Sequence, residues 1–97
     1  MTPVRRSANG QPCQVRVPGI CNGDPSTTVL AHINGGGMGS KQHDIHAAFA
    51  CAACHWWVDG GYTIEGASRS TRDLVHLQGV IRTQRILIDL GLLEVAA

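Results

Sequence analysis

The stretch Ala50-Cys51-Ala52-Ala53-Cys54-His55-Trp56-Trp57-Val58-Asp59 brings two thiols, an imidazole and a carboxylate into consecutive residues. Cys51 and Cys54 have the C-x-x-C spacing with which one tight turn presents both sulfurs to a single metal ion. If a helix begins near the second cysteine, Asp59 lies four residues beyond His55 and shares its face. One segment then carries half of a structural zinc site and half of a second, reactive metal site. The fold depends on where the other halves come from.

The chain has 97 residues, of which 43% are apolar, and reads as a single domain over 1–97. A chain this short buries only about 60–65% of the surface its unfolded form exposes, so its core needs a staple. With one Phe and one Tyr, aromatic packing falls largely to Trp56 and Trp57. Met1-Thr2-Pro3-Val4-Arg5-Arg6 has no apolar run after its basic pair, unlike a secretory signal. Nor does any apolar run approach the roughly 18 residues of a membrane span. The expected compartment is the cytoplasm, where thiols stay reduced and clustered cysteines more often bind metal. A net charge of +1 decides nothing about nucleic acid. Arg69, Arg72, Arg82 and Arg85 nonetheless gather in the last third of the chain, either on a solvated helix face or facing phosphates.

Outward from the opening stretch, the elements follow from pattern. Residues 1–10 are polar and basic, a short helix or loose arm. Cys13-Gln14-Val15-Arg16-Val17 alternates as a half-exposed strand does, and Pro18-Gly19 turns the chain so that Cys21 returns towards Cys13. Thr27 to Ile33 is rich in β-branched residues and reads as a strand with His32 near its end. The glycine-rich Asn34 to Ser40 matches no phosphate-binding fingerprint and reads as a loop. Ile45 to Ala50 is expected to form a second strand, antiparallel to the first. A helix follows from Ala52 to Val58, stopping at Gly60-Gly61. Ser68 or Ser70 caps a longer helix, whose apolar stripe is expected at Leu74, Leu77, Ile81 and Ile88 with Val80 and Leu87. Gly79 marks a close packing contact and Gly91 the stop. His76 receives no role.

Two constellations carry the chemistry. Cys13, Cys21, Cys51 and Cys54 form a four-thiolate set for a structural Zn²⁺, which would cross-link distant segments. Unrelated pairs or disulfides are the alternatives. The second constellation is His32, His55 and Asp59. A strand-end histidine, a loop, a second strand and a ligand-bearing helix suit phosphodiester hydrolysis. His32 would act as general base on water, and His55 and Asp59 would hold a divalent metal at the phosphate. Asp44 either orients His32 or is an ordinary strand cap. His43 and His46 are solvated loop residues or accessory ligands. Trp56 can stack on unpaired bases, while Trp57 is expected to pack in the core.

The run Cys13-Gln14-Val15-Arg16-Val17-Pro18-Gly19-Ile20-Cys21-Asn22-Gly23, with Val29-Leu30-Ala31-His32-Ile33, Ala50-Cys51-Ala52-Ala53-Cys54-His55 and Arg82-Thr83-Gln84, resembles the YbcO-like family. These are small proteins of lambdoid phages and prophages described as candidate nucleases. The resemblance covers nearly the whole chain. It implies kinship with the HNH, or ββα-metal, endonucleases and hence an α+β fold: a small HNH-like domain with a structural zinc and a C-terminal helix. His32 then matches the strand histidine, His55 the metal ligand after the second C-x-x-C cysteine, and Asp44 the middle residue, often Asn. The implied host is a bacterial cell. Two departures stand out: Ala31 occupies the place of the Asp that often precedes the strand histidine, and the first cysteine pair is wide.

The reading is therefore a metal-dependent DNA endonuclease in phage recombination or DNA processing. It would use structural Zn²⁺ and catalytic Mg²⁺ or Mn²⁺, with Zn²⁺ as a further option for the second site. Lys41, Arg82 and Arg85 are the candidate phosphate contacts, and a phage or host recombination protein is a candidate partner. The competing reading is a non-catalytic zinc module that binds DNA or protein. A thiol redox role for Cys51 and Cys54 is weaker, because the βαβ context is missing.

Overall fold

The computed structural model describes residues 1–33 and 43–96. Its elements in chain order are α1 (Pro3–Ser7), β1 (Val29–His32), β2 (Ala47–Ala50), α2 (Ala52–Trp56), α3 (Tyr62–Ile64) and the long α4 (Arg69–Asp89). β1 and β2 form an antiparallel pair in which Val29 faces Ala50, Ala31 faces Ala48 and His32 faces Ala47. The glycine-rich stretch 34–40 and Lys41 lie outside the described residues. Among the described residues no helix is long and apolar enough to cross a membrane.

β2 is the centre of the molecule: all four of its residues are buried. Its sequence Ala47-Ala48-Phe49-Ala50 explains how α4 can lie so close upon it. Where the helix crosses, it presents Gly79, at which an added Cβ would stand 3.1–3.2 Å from Val15 and Ala48 atoms. That is the close packing the glycine foretold. Phe49 faces Leu30 across the pair, at a position where the ladder aims N–H and C=O away from β1. Both outward groups find partners. The Phe49 N–H donates to Thr83 Oγ1 at 2.9 Å, and its carbonyl accepts from the Gln14 N–H at 2.7 Å. Around this strand the core gathers Val15, Val17, Trp57, Val58, Tyr62 and Val80, with a smaller cluster of Ala8, Phe49 and Leu87.

Several expectations need correction. Cys13–Val17 is not a strand: Arg16 takes a left-handed backbone at φ 56°, which ends any extended run. The stripe on α4 is rotated: Val80 and Leu87 are buried as expected, but its other four members are not. His76, Gly79, Val80, Thr83 and Leu87 are buried, whereas Leu74, Leu77, Ile81 and Ile88 are exposed. Apolar spacing misled here because hydrogen bonds, not hydropathy alone, select the inner face. Arg82 donates to the Gln14 carbonyl at 2.9 and 2.6 Å, Thr83 receives Phe49, and Gln84 Nε2 donates to the Ile45 carbonyl at 2.7 Å. His76 in turn contacts the Ala31 carbonyl through Nε2 at 2.9 Å. Burial lowers its pKa, with that hydrogen bond working in the opposite direction, so the ring is held neutral at pH 7.

The segment after α2 does not stop at Gly60-Gly61. A wide turn over Trp57–Gly61, hinged at Gly60 (φ 147°), leads directly into α3. Ser68, not Ser70, caps α4 by accepting from the Thr71 N–H. Gly91, at φ 76°, stands just past its end, as expected. Trp57 is buried against Tyr62, edge to face, also as expected.

Candidate metal centre and active site

Four thiols converge where β2 passes into α2. The sulfurs of Cys13, Cys21, Cys51 and Cys54 all lie within 4.8 Å of one another, and those of Cys21 and Cys51 are 3.9 Å apart. All four are free thiols. Zn–S bonds of about 2.3 Å place tetrahedral sulfurs about 3.8 Å apart, so the cage has the size for one Zn²⁺. The surrounding backbone prepares it for negative charge. N–H groups of Arg16, Val17, Asn22 and Cys54 donate to the sulfurs of Cys13, Cys54, Cys51 and Cys51, at 3.4–3.5 Å.

Arg16 is the residue that makes the wide first pair workable. Its left-handed turn points its N–H back at Cys13, and a further turn at Gly19 (φ 76°) delivers Cys21. The hydrogen bond from Cys54 draws the Cys13 thiol down to about 4 and pushes the Cys54 thiol up. Burial raises Cys21 as well. One thiolate is thus stabilised by its neighbours, and a bound cation would be what lets the other three ionise as well.

His32 stands at the end of β1 with Nε2 2.8 Å from Asp44 Oδ1. Asp44 itself is anchored from the N-terminal arm: the Thr2 hydroxyl donates to Oδ2 at 2.6 Å, and Arg5 Nε lies 3.4 Å from Oδ1. These partners, led by the Thr2 and His32 hydrogen bonds, hold the Asp44 carboxyl at about 2. The carboxylate fixes the imidazole through Nε2, which leaves Nδ1 to exchange a proton with a water. The Thr2 and Arg5 contacts were not legible in the sequence, since Asp44 lies some forty residues away.

His55 and Asp59 share the exposed side of α2 and the turn beyond it, with Nε2 and Oδ2 3.9 Å apart. One imidazole and one carboxylate fit part of the shell of a divalent cation that keeps several waters. No hydrogen bond joins this pair to His32 and Asp44 among the described residues, and only the four cysteines gather three or more ligand groups there. Ala31 is buried and offers no ligand. Arg82 is engaged inside the fold, whereas Arg85 is exposed and, among the described residues, pairs with Asp89 at 3.4 Å.

With this geometry in view, likeness to known proteins is informative. A family model described as "Putative nuclease YbcO" matches residues 2–92. The protein of that name from Escherichia coli (strain K12) is 41% identical over 104 aligned residues, which span 97% of this chain and 99% of the relative. "Putative nuclease ybcO" of Enterobacteria phage 82 matches to the same extent. A solved structure titled "Structure of a putative bacteriophage protein from Escherichia coli str. K-12 substr. MG1655" superposes with a TM-score of 0.76 at 39% identity. It covers 92% of this chain and 100% of that one.

Proposed function

The chain belongs to the family described as Putative nuclease YbcO, and on that premise we propose that it is a metal-dependent endonuclease of the HNH type acting on DNA. The observation that carries the reading is His32, held through Nε2 by an ionised Asp44 at the end of the strand that α2 packs against. Histidine in this tautomer can take a proton from water at Nδ1, generating the nucleophile for in-line attack on a phosphodiester. Asp44 keeps the ring from rotating and stabilises the imidazolium that results.

A divalent cation bound at His55 and Asp59 would stabilise charge on the scissile phosphate and leaving oxygen. With Ala31 contributing nothing, Asp59, His43 or a water would fill the ligand place beside His55. The four cysteines serve a separate purpose, binding structural zinc under the turn from which α2 starts. Arg85, with Lys41, is the candidate phosphate contact. A role in phage DNA processing or recombination, within a bacterial cytoplasm, fits the phage and prophage relatives.

The buried, ligand-free Ala31 favours one rival reading, a zinc-stabilised module that binds DNA or protein without cutting it. The two separate in a cleavage screen over plasmid, linear duplex and single-stranded DNA in Mg²⁺ or Mn²⁺. The endonuclease reading expects cutting by the wild type and loss in His55→Ala and Asp59→Ala at unchanged zinc content. Binding without cutting in every form would replace it with the rival.

A further inference from the structure

Trp56 is the large aromatic side chain that the core does not use. Its neighbour Trp57 is buried, yet Trp56 remains 46% exposed. A solitary exposed indole is unremarkable in itself. What distinguishes this one is how its inner face is held. An added Cβ at Gly61 would stand 2.5–2.6 Å from Cδ2, Cε2 and Cε3 of Trp56, which means the ring lies flat across that glycine. The chain reaches this position only through Gly60, whose φ of 147° is closed to other residues. Two successive glycines with two different duties, one conformational and one steric, therefore seat a single indole. Nearly half of its surface stays open to solvent, on the segment that carries His55 and Asp59.

We propose that the open face of Trp56 is a stacking platform for an unpaired nucleobase of the substrate. The inference rests on nucleic acid being the substrate class, but not on cleavage. Bases inside a duplex have both faces covered by their neighbours, so a flat, fixed indole can be stacked only by a single-stranded, terminal or extruded base. Because the ring is immobilised beforehand, stacking loses little side-chain entropy. One face serves one base, and the contact is indifferent to sequence. The position beside His55 and Asp59 would hold the strand next to the proposed metal, with the stacked base unpaired.

The test uses tryptophan fluorescence of the zinc-loaded protein without added Mg²⁺ or Mn²⁺, titrated with single-stranded oligothymidylate or with a blunt hairpin duplex. Saturable quenching by oligothymidylate, weaker for the hairpin, is expected, with Trp57 left as an unquenched background. By fluorescence anisotropy of dye-labelled oligothymidylate, Trp56→Leu should weaken binding about 5- to 150-fold, and Trp56→Phe should restore part of it. Gly61→Ala, which drives the ring from its seat, should reduce quenching while zinc content stays stoichiometric. The proposal is overturned if oligothymidylate does not bind, if the hairpin quenches as strongly, or if Trp56→Leu binds as tightly as the wild type. Cleavage in Mn²⁺ is measured in parallel. Quenching without cleavage keeps the platform and removes the nuclease reading, and cleavage that is indifferent to Trp56 does the reverse.

Discussion

Stripping metal from the four-cysteine cage should unfold this domain rather than merely loosen it. The sulfurs already stand within 4.8 Å of one another, with one pair at 3.9 Å against the roughly 3.8 Å of a zinc tetrahedron. Little reorganisation is therefore charged against binding. Structural zinc of this kind contributes on the order of 10 kcal/mol. A whole small domain has a net stability of about 5–15 kcal/mol, so the loss is comparable to the total. The cage also joins Cys13 and Cys21 to Cys51 and Cys54, tying the N-terminal loop to the start of α2. The assay is metal content by mass spectrometry together with thermal melting followed by circular dichroism, with and without a strong zinc chelator. One zinc per chain and loss of the cooperative transition on chelation are expected. Cys54→Ala, at a fully buried sulfur, should be more damaging than Cys21→Ala, at a half-buried one. Metal-free protein that melts at the same temperature as the purified form would refute the reasoning.

Other residues give independent tests. The Asp44 carboxyl sits at about 2, below its ordinary 3.8, so its contribution to stability is complete above about pH 4 and lost as pH falls towards 2. Urea midpoints should therefore fall more steeply over that window in the wild type than in Asp44→Asn. Thr28 is buried with Oγ1 lacking a hydrogen-bond partner among the described residues, so Thr28→Val should raise unfolding free energy by about 1 kcal/mol in urea titration. Arg82→Ala leaves the Gln14 carbonyl without its guanidinium donor and should cost about 1.5–3 kcal/mol by the same method. If Arg82 is purely internal, oligonucleotide affinity should not change.

Much of the metal cage could be read from the chain because C-x-x-C is a local signal whose geometry one turn dictates. The antiparallel strands were legible for the same reason, from β-branched and apolar runs. That Cys13 and Cys21 would gather with Cys51 and Cys54 was legible, but the element bearing them was not. A left-handed Arg16 has no composition cue, and alternation over a few residues imitates a strand. The inner face of α4 was legible at Val80 and Leu87 but not beyond them, for a different reason. Its apolar residues at 74, 77, 81 and 88 describe a good stripe, but Thr83, His76 and Arg82 answer specific backbone groups of β2, β1 and the Gln14 segment. Those needs are invisible until the sheet is built. The anchoring of Asp44 by Thr2 and Arg5 is likewise a meeting of distant segments. The glycine pair at 60–61 was visible, but its purpose was not: it reads as a helix stop and acts as the seat of Trp56.

The role of His32 is tested most directly by single-turnover DNA cleavage in Mn²⁺ by the wild type and His32→Ala, with zinc content and melting temperature measured on both. A general base at His32 predicts a rate about 10²–10⁴-fold lower in the variant, at unchanged fold and metal load. Equal rates in the two proteins would contradict the account, as would a wild type that cuts no form of DNA.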